Sequence, residues 1–202
     1  MPPQSPADHR RMHERHWTRE EAIAFLDDPE RRRSQDPQKF WRSAGLRTGQ
    51  CVVDIGAGSG FYAFPAGKIV GRSGCVFAVD VSPELVTLLF ERRAELDQLN
   101  VTPVHSTARR IPLPNRVADM VLLANVLHGI PPATLREAVR LLAPRGSLVN
   151  VDWKKESTPG GPPVEHRLSP AEAEAVLGHY GLREVRRFAA GPYHYAARFI
   201  HR

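Results

Sequence analysis

Cysteine is scarce in this chain: Cys51 and Cys75 are the only two. Each opens an apolar run that reads as a strand, where a thiol behaves as a small buried hydrophobe, so a disulfide framework is not expected. Long hydrophobic runs are missing too. The longest, Met120 to Leu127, falls far short of the roughly 20 residues a membrane span requires, and Asn125 interrupts it. Residues 1–20 are polar and charged with no apolar segment, so neither a secretory leader nor an anchor is expected there, and the cytoplasm is the expected compartment. Internal repeats and low-complexity tracts are absent, although proline-rich turns recur at Pro131-Pro132 and Pro159 to Pro163.

What remains is enough for one globular domain: 202 residues, 42% of them apolar and 25% charged. The formal charge of +6 brings an anionic partner such as nucleic acid into consideration. The arginines are spread along the chain, however, and cluster only at Arg31-Arg32-Arg33 and at Arg183, Arg186 and Arg187. A solvated basic surface is the simpler account, and no nucleic-acid partner is expected.

From Cys51 onward, short runs rich in Val and Ile alternate with helical patterns, which is the signature of βαβ units. Seven strands are expected: Cys51 to Ile55, Cys75 to Asp80, Val101 to His105, Ala118 to Ala124, Ser147 to Asp152, Arg183 to Ala189 and His194 to His201. Helices are expected near Phe61 to Val70, Pro83 to Leu96, Ala133 to Leu142 and Ser169 to Tyr180. The first five strands should be parallel, each leading into a crossover. Only Gly191-Pro192-Tyr193 and its neighbours separate the last two, so these should form an antiparallel hairpin. Residues 1–50 carry helical patches at Arg19 to Leu26 and Pro37 to Ala44 and read as a helical cap over a domain spanning residues 51–202.

The first expected strand runs straight into Asp54-Ile55-Gly56-Ala57-Gly58-Ser59-Gly60 and then a helix. Glycines tolerate positive φ and let a ligand lie on the backbone, while the helix start offers unpaired N–H groups. Asp80, ending the next strand 20 residues after Gly60, stands where an acid can accept both hydroxyl protons of a ribose.

With Ile111-Pro112-Leu113-Pro114, Asp119 to His128, and Leu142-Ala143-Pro144-Arg145-Gly146, these segments resemble the class I S-adenosylmethionine-dependent methyltransferases from about Cys51 to the C-terminus. Within that superfamily the chain is most similar to small-molecule methyltransferases, the group that includes ubiquinone and menaquinone C-methyltransferases. The resemblance implies an α/β, three-layer Rossmann-like sandwich around a mostly parallel seven-stranded sheet. It also implies S-adenosylmethionine as cofactor: Asp54 with the backbone of Gly56 and Gly58 would hold the methionine portion, Ala57 and Gly60 would complete the turn, and Asp80 would bind the ribose. Val81 would lie against the adenine, and Asn125 would close over the cofactor. Thr107-Ala108 stands where relatives often carry Asp-Ala for the adenine amino group, and a neutral hydroxyl is the weaker acceptor.

Methyl transfer from a sulfonium requires chiefly alignment, with a base only if the nucleophile carries a proton. The candidate base is His128, just past the fourth strand, although packing or helix capping is its ordinary role. Asp152, Trp153 and Lys154 close the fifth strand on the same edge, with Trp153 a candidate pocket wall. His166, in the loop Gly160 to Arg167, and Tyr193, before the last strand, are further candidate substrate contacts. His9, His13 and His16 share a helical face, but no fourth ligand accompanies them and no metal is expected. The acceptor, the atom methylated and the oligomeric state stay open.

Two other readings compete. An NAD(P)-dependent oxidoreductase shares the glycine turn and ribose acid, but the Gly-x-Gly-x-Gly register, Asp54 before it and the lack of room for a substrate domain oppose it. A non-enzymatic cofactor-binding or nucleic-acid-associated module is the other. Leu123-Ala124-Asn125-Val126 replaces the Asn-Pro-Pro-aromatic element of amino-methylating nucleic-acid enzymes, which disfavours base N-methylation.

Overall fold

The computed structural model describes residues 28–202, together with Glu20, Ile23 and Ala24, which are helical. The histidines at 9, 13 and 16, and most of the expected patch Arg19 to Leu26, lie outside the described residues.

Two short helices come first, α1 (Pro29–Ser34) and α2 (Pro37–Ala44), each started by the same device. Asp28 accepts from the Glu30 N–H, and Asp36 from those of Gln38 and Lys39, while proline occupies the next position, where a missing donor costs nothing. Ser82 and Ser169 begin two later helices in the same way. Then follow β1 (Cys51–Ile55), α3 (Ala63–Val70), β2 (Cys75–Asp80), α4 (Pro83–Glu95), β3 (Val101–His105), β4 (Ala118–Ala124), α5 (Pro132–Leu141), β5 (Leu142–Trp153), α6 (Pro170–His179), β6 (Leu182–Ala189) and β7 (His194–His201).

The seven strands form one sheet in the order β3-β2-β1-β4-β5-β7-β6. β7 runs antiparallel to both β5 and β6, so the other six strands share one direction and the last strand of the C-terminal hairpin is inserted between β5 and β6. Alternating residues of the central strands feed two cores. Val52, Met120, Leu122, Val149 and Val151 pack with Trp41, Phe61 and Tyr62 on one face. Val53, Ile55, Val121, Leu123 and Leu148 pack with Leu135, Leu141 and Leu177 from α5 and α6 on the other. This is the period-two arrangement of strands covered on both sides.

Several expectations need adjusting. The fifth strand begins at Leu142 rather than Ser147, pairing Leu142 with Ala118 before a register shift. The helix expected from Phe61 begins at Ala63, because Gly60 is left-handed at φ 84° and the next residues complete turns. The cysteine expectation is corrected: Cys51 and Cys75 are partners in the β1–β2 register, with Cα atoms 4.6 Å apart, and they form a disulfide. Direct pairing of two strand starts brings the thiols together, a long-range fact that burial of each thiol on its own does not reveal.

Candidate functional site

Sheet order reverses between β1 and β4, and at such a switch point the crevice beyond the strand C-termini is open to a ligand. The glycine turn lies at this edge. Gly56 and Gly58 have φ values of 76° and 57°, and a Cβ on Gly56 would stand 2.9 Å from Val126 Cγ1. The N–H groups of Gly56 and Ala57 both donate to the Val79 carbonyl, at 2.8 and 2.9 Å, which ties the turn to β2. The Gly58 N–H donates to Asp80 Oδ2 at 2.9 Å, and the Ser82 N–H to Asp80 Oδ1 at 3.0 Å. Burial raises the Asp80 pKa, and these backbone bonds oppose the rise.

Asp54 is 1% exposed, and its Oδ1 has no hydrogen-bond partner among the described residues. Burial first, then the neighbouring Asp80 charge, pushes its pKa up to about 7, against a downward pull from Arg31. Across the crevice Asn125 holds a left-handed φ of 56° and donates its N–H to the Val151 carbonyl at 2.8 Å, and its Oδ1 is likewise buried without a partner. Val81, 54% exposed, offers an apolar face beside Asp80. Thr107 and Ala108 are exposed; the Thr107 hydroxyl oxygen accepts the N–H groups of Arg109 and Arg110, and the Ala108 carbonyl accepts from the Thr134 hydroxyl. The edge is therefore rich in acceptors. A ligand satisfying it must bring donors and positive charge, and S-adenosylmethionine does so with its ammonium, ribose hydroxyls and sulfonium.

The neighbouring strand ends hold the candidates for the acceptor side. His128 Nδ1 lies 3.2 Å from Asp152 Oδ2, with side chains 8% and 0% exposed. Asp152 Oδ1 accepts the Trp153 N–H at 2.9 Å. A proton on Nδ1 would donate to this carboxylate and leave Nε2 as the acceptor nitrogen of the ring. Trp153 lies 4.1 Å from the His194 ring, and the Arg167 guanidinium stands 5.3 Å from it. A Cβ on Gly161 would come within 2.6 Å of the same indole. Arg167, 3% exposed, donates to the carbonyls of Pro162, Lys154, Glu156 and Gly160 at 2.7 to 3.1 Å, which gathers residues 154–167 over Trp153. His166 ends a short 3-10 turn (Val164–His166) and is half-buried, as is Tyr193, whose carbonyl accepts the Lys154 N–H.

A group that sequence reasoning did not bring together crosses this edge. The Tyr62 hydroxyl donates to Gln35 Oε1 at 3.1 Å, and the Gln35 amide nitrogen lies 2.9 Å from Nδ1 of the buried His194. Burial first, then the charges of Arg31, Arg167 and Lys154, holds His194 down at about 3, so it is neutral across the working range. The Arg31 guanidinium sits 4.2 Å over the Phe61 ring. These are isolated polar residues with no periodicity, and Gly191, left-handed at φ 102° against the Ser34 carbonyl, was the one local signal of a close approach.

The strand order, glycine turn and ribose-type carboxylate together define a Rossmann-like protein of the methyltransferase kind. A methyltransferase-domain family matches residues 52–146. A structure of an S-adenosylmethionine-dependent methyltransferase from Aquifex aeolicus is 36% identical, covers 88% of this chain and 95% of its own, and superposes with a TM-score of 0.83. A ubiquinone/menaquinone biosynthesis C-methyltransferase from Laribacter hongkongensis is 30% identical over 161 residues, 78% of this chain and 62% of its own. A demethylmenaquinone methyltransferase from Listeria monocytogenes serotype 4a is 28% identical over 117 residues, 57% of this chain and 49% of its own. The chain thus spans about half to three fifths of these curated relatives. It belongs to the S-adenosylmethionine-dependent methyltransferases.

Proposed function

We propose that the protein transfers a methyl group to a small-molecule acceptor by in-line displacement. The observation that carries this reading is the pair of buried oxygens, Asp54 Oδ1 and Asn125 Oδ1, that have no hydrogen-bond partner among the described residues and flank a glycine turn beside Asp80. Bound there, the cofactor supplies an electrophilic methyl group on a cationic sulfur. Asp54 and the backbone of Gly56, Ala57, Gly58 and Gly60 bind its methionine portion, Asp80 the ribose hydroxyls and Val81 the adenine face, with Thr107 and Ala108 at the adenine edge. Asn125 closes the crevice. His128 takes a proton at Nε2 when the acceptor carries one, and Asp152 stabilises the charged ring that results. Trp153, His166 and Tyr193 shape the acceptor side, and residues 1–50 act as a lid over the domain formed by residues 51–202.

The cytoplasm as compartment and the exclusion of nucleic acid belong to the same proposal; the scattered arginines support the latter. Among the described residues no helix is long and apolar enough to cross a membrane.

Calorimetry with S-adenosylhomocysteine should show binding that Gly58→Arg abolishes. Labelled S-adenosylmethionine is then offered with a reduced naphthoquinone, chosen because relatives are named for demethylmenaquinone, and with a metabolite extract. An intact protein that binds no S-adenosylhomocysteine, or that binds it and labels only RNA or DNA, overturns the proposal.

A further inference from the structure

The fold divides the arginines of β6 between the two faces of the sheet. Arg187 is answered by carboxylates, 2.7 Å from Glu184 and 4.0 Å from Glu174. Arg186 faces the other way, and its partner across the ladder is Arg198 of β7. Directly opposed residues share a face with Cβ atoms roughly 5 Å apart, and like charges so placed repel. Arg183 stands on that face as well, opposite Ile200. Among the described residues no carboxylate lies within ion-pair distance of Arg183, Arg186 or Arg198. We propose that Arg186 and Arg198 form a second ligand site, outside the cofactor crevice, for a phosphate-type dianion.

Each guanidinium is held in place by its surroundings. That of Arg186 lies 5.6 Å from the Phe188 ring, which packs 5.9 Å from Phe40 of α2. Arg198 is half-buried, and its Nη1 approaches Gly45, the left-handed cap of α2, so closely that a Cβ there would stand 3.3 Å away. Its Nε is buried with no hydrogen-bond partner, so this cation has given up water without gaining an acceptor. Both groups thus meet in one corner, between the hairpin and the C-terminal end of α2. Arg186 keeps the corner open to solvent, and β4 and β5 separate it from the glycine turn at the end of β1.

The number of donors selects the ligand. One guanidinium fork satisfies a carboxylate, whereas two forks on adjacent strands suit a tetrahedral oxyanion with two charges. Free phosphate and the phosphoryl group of a small metabolite share that chemistry.

Calorimetry on the full chain with inorganic phosphate, glucose 6-phosphate and acetate tests the site. One phosphate should bind per chain, with acetate weaker by about tenfold or more, the worth of one charge-assisted hydrogen bond. Tighter binding of glucose 6-phosphate would identify a phosphorylated metabolite as the source, and the reverse order the free ion. Arg186→Gln and Arg198→Gln should each weaken phosphate about 10- to 100-fold, the range of a charge-assisted pair. Arg187→Gln, whose charge is already answered, should stay within about threefold. If Arg198→Gln does not fold, Arg186→Gln decides, because that side chain is exposed on an edge strand. The Arg198 Nε–H signal in proton–nitrogen NMR should move as phosphate is added. Absence of saturable phosphate binding, equal loss in all three variants, a fixed Arg198 signal, or acetate as tight as phosphate overturns the proposal. RNA binding that the same variants abolish, without phosphate binding, would replace the small dianion with a polymer and overturn it too.

Discussion

Burial holds the Asp54 carboxyl near neutrality, with a pKa of about 7, whereas a bound ammonium requires it ionised. A folded pKa raised above 3.8 means that the protonated carboxyl fits the ligand-free fold. Its stability is fully present below about pH 4 and is lost as pH rises through 7. Ligand binding must expel that proton at low pH, so affinity for S-adenosylhomocysteine should rise as pH climbs from 5.5 to 7, approaching tenfold per unit, and level off above. Calorimetry in buffers of different ionisation heat should show proton release over this range, and Asp54→Asn should remove the pH dependence along with most of the affinity. A flat wild-type profile would mean that Asp54 is already ionised before the ligand arrives. The His128–Asp152 pair gives a separate expectation at the same scale. His128→Ala should lower turnover of a proton-bearing acceptor by about 10²- to 10⁴-fold, while S-adenosylhomocysteine affinity stays within a few-fold. Asp152→Asn should retain part of the turnover and alter the ring-nitrogen NMR signals of His128. Loss of ligand binding in His128→Ala would assign that ring to packing instead.

Between elements, the disulfide and the loop over Trp153 are the two staples. The Cys51–Cys75 bond closes a segment with a sequence separation of 24 that contains the glycine turn and α3. Loop-closure entropy for that length gives about 3 kcal/mol. The Cys51→Ala/Cys75→Ala protein should be less stable to urea by about that amount, and dithiothreitol should bring the wild type to the same midpoint. Thiol titration of protein prepared under reducing conditions measures how much of the bond survives there, since a reducing compartment favours the dithiol. Arg167→Leu should free residues 154–167 to proteolysis, because four carbonyls lose one shared donor; an unchanged cleavage pattern would show that Trp153 packing alone holds the loop. Five strand boundaries were legible to the residue, at Cys51–Ile55, Cys75–Asp80, Val101–His105, Ala118–Ala124 and His194–His201, because short runs rich in apolar residues are set off there by glycine, proline or polar turns. The insertion of β7 between β5 and β6 and the cysteine pairing were not, since register between distant segments leaves no local trace. α1 escaped for another reason: it has no buried residue and hence no apolar stripe to read. The site divides in the same way. Asp54, Asp80 and Asn125 sit at strand ends that the alternation reveals, whereas Arg31, Gln35, Tyr62 and His194 meet only in the folded chain.

Viewed as a whole, the molecule places its cofactor edge where segments distant in sequence converge: residues 28–36, the β1–β2 edge, the β4 end and the β6–β7 turn. No pair of these carries the site alone, so a ligand bound there bridges contacts that otherwise depend on Gln35, Tyr62 and His194. Saturation at about 100 times Kd adds about 2.7 kcal/mol to stability, which for a chain of this size raises Tm by roughly 5 to 10 °C. The distribution of that gain is more telling than its size. Amide exchange in the presence of S-adenosylhomocysteine should slow at residues 31–35, at 56–60 and at 125–128. The cavity of about 570 Å³ near the starts of β4 and β5, lined by Asn115, Arg116, Arg140 and Pro144 among others, should stay unchanged. Protection centred on that cavity would put the ligand at the wrong end of the sheet and with it the whole assignment of the edge. Protection confined to the glycine turn, with residues 31–35 exchanging as before, would leave the cofactor in place and free that segment for the acceptor.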